Sequence, residues 1–131
     1  MAQTRAPRTS RRTFPRRGDV YDTEMDPVVG SEIGKRRPAV VVSNNLNNAY
    51  SSTVTVVPIT GQPASRAYPF EVQIPRGVAG LTVDSRAKTD QIRAVDKRRL
   101  LNYRGAVPPE YLERLERALK IHLDLKQRRP L

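Results

Sequence analysis

Apolar positions in this chain come in short bursts separated by turn formers, with one longer stripe near the end. Asp19–Met25 (DVYDTEM) mixes strand-forming residues with alternation, and Ala39–Ser43 (AVVVS) is a short continuous apolar run that suits a buried strand. Thr53–Ile59 (TVTVVPI) is rich in β-branched residues, and Pro58 near its end predicts an edge or a bulge there. Phe70–Ile74 alternates cleanly, with Phe70, Val72 and Ile74 on one side and Glu71 and Gln73 on the other. Leu81–Val83 and Gln91–Val95 are two further short candidates. The joins are brief and rich in turn residues, as at Asn44–Asn48 and Gly61–Ser65. Leu112, Leu115, Leu119 and Leu123 then recur at helical spacing after Pro108-Pro109, which punctuates the start of a helix. Glu110/Arg114, Glu113/Arg117 and Glu116/Lys120 add acid-first pairs four residues apart. Five or six short strands with a closing helix predict a small, strongly bent sheet or barrel, mainly β.

Length and composition narrow the picture. The 131 residues, 37% of them hydrophobic, suit one domain with one modest core. The absence of Cys excludes disulfides, thiol nucleophiles and cysteine-based zinc sites, and a single His excludes a His–His pair within one chain. No apolar run approaches the roughly 20 residues that span a bilayer, and the basic N-terminus lacks the apolar stretch of a signal peptide. The expectation is a soluble, cytoplasmic protein with no membrane partner. The net charge of +11 is uneven. Residues 1–17 hold six Arg and no acid, and Lys126–Leu131 hold three more cations, which leaves the body nearly balanced. We therefore divide the chain into a basic, disordered arm (1–16), a folded domain (17–125) and a basic tail (126–131). Such arms attract RNA or DNA through phosphate contacts, or serve only solubility.

Four groups of residues are candidates for chemistry. Asp22, Glu24 and Asp26 sit at alternate positions, where they form either a Mg²⁺ site or the wet face of a strand. The segment Gly30 to Pro38 (GSEIGKRRP) lacks the spacing and the Ser/Thr of a phosphate loop. It delivers Lys35, Arg36 and Arg37 to the start of a strand, with Pro38 fixing the local backbone. Arg37 there either grips a phosphate or rests on the surface beside a turn. Thr60, at the end of VVPIT, is either a turn former or a donor to a phosphate oxygen. His122, with no acidic or metal-binding partner one turn away, reads as a surface residue.

Taken together, RRGDVYDTEMDPVVGSEIGKRRPAVVVSNNLNN, TVTVVPIT, YPFEVQIP and DQIRAVDKRRL resemble the MazF/PemK family of toxin endoribonucleases. The resemblance runs from about Arg17 to Leu125, with the segments in the family's order. It implies an SH3-like barrel of the plasmid-maintenance-toxin type with a C-terminal helix. It implies a homodimer that cuts single-stranded RNA, chiefly mRNA, at a short sequence, without a metal or other cofactor. It also implies a cognate antitoxin whose acidic, otherwise disordered segment covers the RNA site. By the same resemblance Arg37 and Thr60 are catalytic, and Ser31, Glu32 and Gln91 line the RNA groove. Relatives commonly carry an apolar strand before D-Q-I-R. Here it reads Ser85-Arg86-Ala87-Lys88-Thr89, which sets Arg86 and Lys88 on one strand face. We count these two, with Lys35 and Arg36, among the RNA-binding candidates.

The implied chemistry uses the RNA 2′-OH as nucleophile and leaves a 2′,3′-cyclic phosphate and a 5′-OH, so DNA survives. Two readings of another kind stay open at this stage: a toxin of the same fold that poisons DNA gyrase, and a module that only binds. The gyrase-poison branch would not need Arg37-Pro38 and Thr60 where they stand.

Overall fold

The computed structural model describes residues 13–61 and 68–126. Most of the basic arm, the C-terminal tail beyond Lys126 and much of the Gly61–Ser65 turn lie outside those residues. Seven strands form one antiparallel sheet: β1 (Asp19–Glu24), β2 (Arg36–Val41), β3 (Thr53–Thr60), β4 (Glu71–Ile74), β5 (Ser85–Lys88), β6 (Arg93–Asp96) and β7 (Leu100–Ala106). A short helix α1 (Asn45–Tyr50) joins β2 to β3, and α2 (Pro109–His122) closes the chain. The fold is mainly β with a terminal helix, as the burst pattern predicts.

The strand order is β4-β5-β3-β2-β1-β7, with β6 also on β3. The eight residues of β3 serve two partners along one edge. Thr53–Val56 pair with β6, and Ile59 and Thr60 pair with β5. Pro58 lies in the gap between those two ladders, opposite Ala39 of β2. The proline marks neither a sheet edge nor a bulge, because the change of partner already interrupts the ladder where it stands.

Continuous apolar runs mark the strands buried on both faces. Val40, Val42, Val57 and Ile59 point into one cluster with Val72, Ile74 and the helix residues Leu115 and Ala118. Ala39, Val41, Val54 and Val56 point into a second with Tyr21, Met25 and Val95. On α2, Leu115 is fully buried, Leu112 and Leu119 are half-buried, and Leu123 is exposed just past the last turn. Of the predicted helix pairs, Arg117 and Glu113 approach to 3.8 Å. Glu116 turns instead to Arg17, which also donates to the Val42 carbonyl and so ties the helix to β2. Gly18, at φ +94°, accepts from Val107 N at 2.9 Å and donates to Val41 O at 2.7 Å. That left-handed backbone suits glycine and fixes where β1 begins.

Several boundaries differ from the sequence expectation. Leu81–Val83 is not a strand: Leu81 is a buried anchor, Val83 is exposed, and β5 begins at Ser85. Gly80, at φ +72°, turns the chain just before it. Gln91 belongs to a 3-10 turn, Thr89–Gln91, so β6 starts at Arg93. The Asn-rich join forms α1 because Asn44 caps it, accepting from Asn47 N at 2.8 Å. Buried Asn48 is satisfied by Ser43 through its amide and its oxygen. β7 escapes pattern reading because LLNYRGA does not alternate; it is held at the edge by β1 across two register shifts.

Candidate active site

The site begins with register. β2 and β3 pair Ala39 with Pro58 and Val40 with Val57. Continuing that ladder two residues towards the start of β2 sets Arg37 across from Thr60. On the far side of β3, Thr60 is paired with Arg86 of β5. One cross-strand row therefore carries Arg37, Thr60 and Arg86. Residues in one row project to one face of a sheet.

That face opens into a cavity of about 320 Å³. The strands supply Arg37, Thr60, Arg86 and Lys88, the Thr89–Gln91 turn supplies Gln91, and the β1–β2 loop supplies Ser31 to Gly34. The structure thus brings together seven of the nine residues singled out in the sequence. Lys35 and Arg36 do not line the cavity; both are exposed. Arg36 alternates with Arg37 along β2 and faces away, opposite Glu24 of β1. Lys35 sits in the left-handed region at φ +68° while its carbonyl accepts from Met25 N at 3.0 Å, so the loop uses its backbone. Ile33 and Gly34 also line the cavity, and nothing in their chemistry marked them beforehand.

The loop is built to present Arg37. The Gly34 carbonyl accepts from Arg37 Nε at 2.8 Å, which orients the guanidinium and leaves its two terminal nitrogens for a ligand. A Cβ at residue 34 would stand 2.3 Å from Asp26 Oδ1 and 2.9 Å from Val28 Cγ2, so a larger residue there would have to push those side chains aside. Glu32 spends one carboxylate oxygen on Val29 N at 2.7 Å, closing the loop on itself. Gln91 Oε1 accepts from Ile33 N at 3.1 Å, which ties the loop to the opposite wall and leaves the Gln91 amide NH₂ as a donor. Behind Arg86 and Lys88 lies Glu71 of β4, its side chain 1% exposed, accepting from each at 3.1 Å. Arg37, Arg86 and Lys88 make the cavity a place for anions, with room for a phosphodiester and part of a base.

The other candidates are occupied elsewhere. Asp22 is paired with Arg104 at 3.0 Å, and Glu24 accepts from Asp26 N at 3.3 Å. Among the described residues no three His, Cys, Asp or Glu side chains form a metal-binding group. His122 is exposed at the end of α2, its ring 5.9 Å from that of Phe70, and does not line the cavity. Among the described residues no helix is long and apolar enough to cross a membrane.

Comparison with known proteins agrees with this geometry. Residues 16–123 match the family described as PemK-like, MazF-like toxin of type II toxin-antitoxin system. Endoribonuclease MazF9 of Mycobacterium tuberculosis is 44% identical over 115 residues, covering 84% of this chain and 97% of the relative. Endoribonuclease EndoA of Bacillus subtilis is 38% identical over 110 residues, covering 84% and 95%. Among solved structures, MazF from Deinococcus radiodurans superposes with a TM-score of 0.74 at 27% identity, covering 86% of this chain and 98% of that one. A mycobacterial endoribonuclease in complex with its cognate antitoxin superposes with a TM-score of 0.71 at 27% identity, covering 87% and 99%. With residues 16–123 matched by the family and a curated relative 44% identical over nearly its whole length, the chain belongs to the PemK-like, MazF-like toxins of type II toxin–antitoxin systems.

Proposed function

We propose that this protein is an endoribonuclease toxin that cuts single-stranded RNA at a short sequence, without a metal ion. The observation that carries this is the row Arg37–Thr60–Arg86 on one cavity wall. The 2′-OH gives its proton to water as its oxygen attacks the adjacent phosphorus, the P–O5′ bond breaks, and the departing oxygen takes a proton from water to become a 5′-OH. The other product is a 2′,3′-cyclic phosphate. Negative charge gathers on the non-bridging oxygens as the new bond forms, and that is where preorganised donors act. The terminal nitrogens of Arg37 supply two donors and the Thr60 hydroxyl a third. A guanidinium offers donors and no acceptor, so the role of Arg37 is charge stabilisation rather than proton abstraction. The nucleophile resides on the substrate, so no metal-activated water is required.

Ser31, Glu32 and Gln91 face the bases, and Arg86 and Lys88 the backbone and base edges beside the cleaved bond. Exposed Lys35 and Arg36 extend the positive surface outside the cavity. The basic arm adds sequence-independent affinity. In this reading the protein works as a homodimer in the cytoplasm, restrained by an antitoxin whose acidic segment occupies the cationic cavity. The antitoxin-bound mycobacterial structure supports that partner class.

The test is to incubate the purified protein with a long single-stranded transcript in EDTA and to map the fragment ends. Discrete cuts with 5′-OH ends, lost in Arg37→Ala and absent on DNA of the same sequence, are expected. A transcript left intact in EDTA would overturn the metal-free reading.

A further inference from the structure

The pair Arg86 and Lys88 is held in a way that ordinary surface cations are not. The side chains are 16% and 21% exposed, against 90% for Arg98, and both converge on one carboxylate. Glu71 uses Oε1 for Arg86 and Oε2 for Lys88. It stands directly opposite Lys88 in the β4–β5 ladder, and Arg86 lies two residues away on the same face. Glu71 itself is outside the cavity lined by Arg37 and Thr60, while both of its partners line it. A carboxylate buried this far needs more than one partner to offset its desolvation, and it has two cations. The pair is not used up by this contact. An Arg has five N–H donors and a Lys three, and Glu71 takes one from each. Arg86 Nε is itself buried with no hydrogen-bond partner among the described residues, so the donors left for a ligand are on the terminal nitrogens.

We propose that Glu71 is a positioning residue: it locks Arg86 and Lys88 into one fixed pair beside Thr60, and this pair makes cleavage depend on the nucleotide adjoining the cut bond. This rests on the reading of the cavity as the RNA site. A free Lys or Arg follows any phosphate it meets, so it adds affinity without choice. A guanidinium held in one place offers its fork to acceptors at one position only, and base edges differ in where their acceptors lie. Removing the carboxylate therefore does two opposite things. It leaves the site one unit more positive, which favours all RNA, and it frees the pair, which removes the choice.

The experiment uses the full chain. The cut sequence is first mapped on a long transcript. Cleavage rates are then compared for an oligonucleotide of that sequence and for oligonucleotides altered one base at a time beside the cut. In E71Q the matched-to-mismatched ratio falls about tenfold at the adjoining nucleotide, the scale of one fixed base contact, while binding to unrelated RNA tightens and depends more steeply on salt. E71D keeps the charge but draws the carboxylate back by one carbon, and it loses discrimination as well. Adding E71Q to R86Q/K88Q changes the ratio no further, since the residue acts through that pair.

The proposal is overturned if E71D discriminates as wild type does, because charge balance would then suffice. It is equally overturned if E71Q slows matched and mismatched RNA alike, or has the same effect without Arg86 and Lys88. Should E71Q fail to fold by circular dichroism, the E71D ratio decides alone. If R86Q/K88Q binds and cuts RNA as wild type does, the reading of this wall as an RNA surface fails first, a result separate from a failure of Glu71.

Discussion

β2 and β3 are one thing at their centres and another at one end. In the middle, Val40, Val41, Val56 and Val57 are fully buried and face two apolar clusters. At the start of β2 and the end of β3, Arg37 and Thr60 face a cavity lined largely by polar side chains. One ladder serves both regions, so the register that aligns the valines also sets Arg37 across from Thr60. A slip of one residue would turn every valine to the opposite face and separate the row. The core thus fixes the site's geometry without contributing a side chain to its chemistry, and substitutions in the two regions should fail in different ways.

The largest expected effect tests the polar end. Arg37→Ala removes donors aimed at developing charge and should lower the cleavage rate by about 10²–10³-fold. Thermal unfolding should stay within a degree or two of wild type, since among the described residues the side chain makes one hydrogen bond, to the Gly34 carbonyl. Loss of rate in step with loss of fold would break the comparison. Ile59→Ala tests the apolar end next to Thr60. A fully buried Ile in this cluster should cost about 2–5 kcal/mol in denaturant unfolding, with the cleavage rate per folded molecule changed less than about threefold. A larger drop in rate would show that core and site are not separable at that distance.

Thr60→Val keeps the shape and removes the hydroxyl. One hydrogen bond to an ionised group is worth about 1.5–3 kcal/mol, so single-turnover cleavage should slow by about ten- to a hundredfold. Unchanged cleavage would confine Thr60 to its place in the ladder. Removing residues 1–12 takes away four arginines. RNA binding should weaken more at low salt than at high salt, with the mapped cuts unchanged; moved cuts would show that the arm reads bases.

The smallest effect concerns Asp96, half-buried at the end of β6. The Arg98 side chain, and then its backbone N–H, hold the carboxyl below the ordinary carboxylate value. The lowered value places the stabilisation above about pH 4 and removes it as pH falls through the folded-state value. The difference in melting temperature between wild type and Asp96→Asn should therefore shrink on going from pH 7 to pH 3. A constant difference would leave only the capping of the Lys97–Arg99 turn.

How far the sequence could be read follows from where each signal is stored. AVVV and TVTVVPI disclose buried strands because both faces demand apolar side chains, whereas LLNYRGA, at the edge beside β1, carries no such constraint. Asn44–Asn48 looks like a turn because asparagine favours turns; that buried Asn48 is satisfied by Ser43 is visible only in three dimensions. Lys35 and Arg36 look equivalent to Arg37 along the chain, yet strand alternation and one left-handed residue send them elsewhere. Along the chain Glu71 reads as the polar side of an alternating strand. Its signal was there as a charge match, one acid on β4 facing two alternate cations on β5, but reading it requires knowing that those strands pair.

The sequence by itself determines the class of fold, the positions of the central strands and the family's motif residues, because these depend on local propensity and on the period of apolar side chains. The tertiary structure alone decides that Arg37, Thr60 and Arg86 form a row, that the β1–β2 loop bends over it through Gly34 and Gln91, and that a buried carboxylate holds the two cations of β5. The physical reason is distance along the chain. Those contacts join residues far enough apart along the chain that their energies exist only once the ladders have brought the strands together.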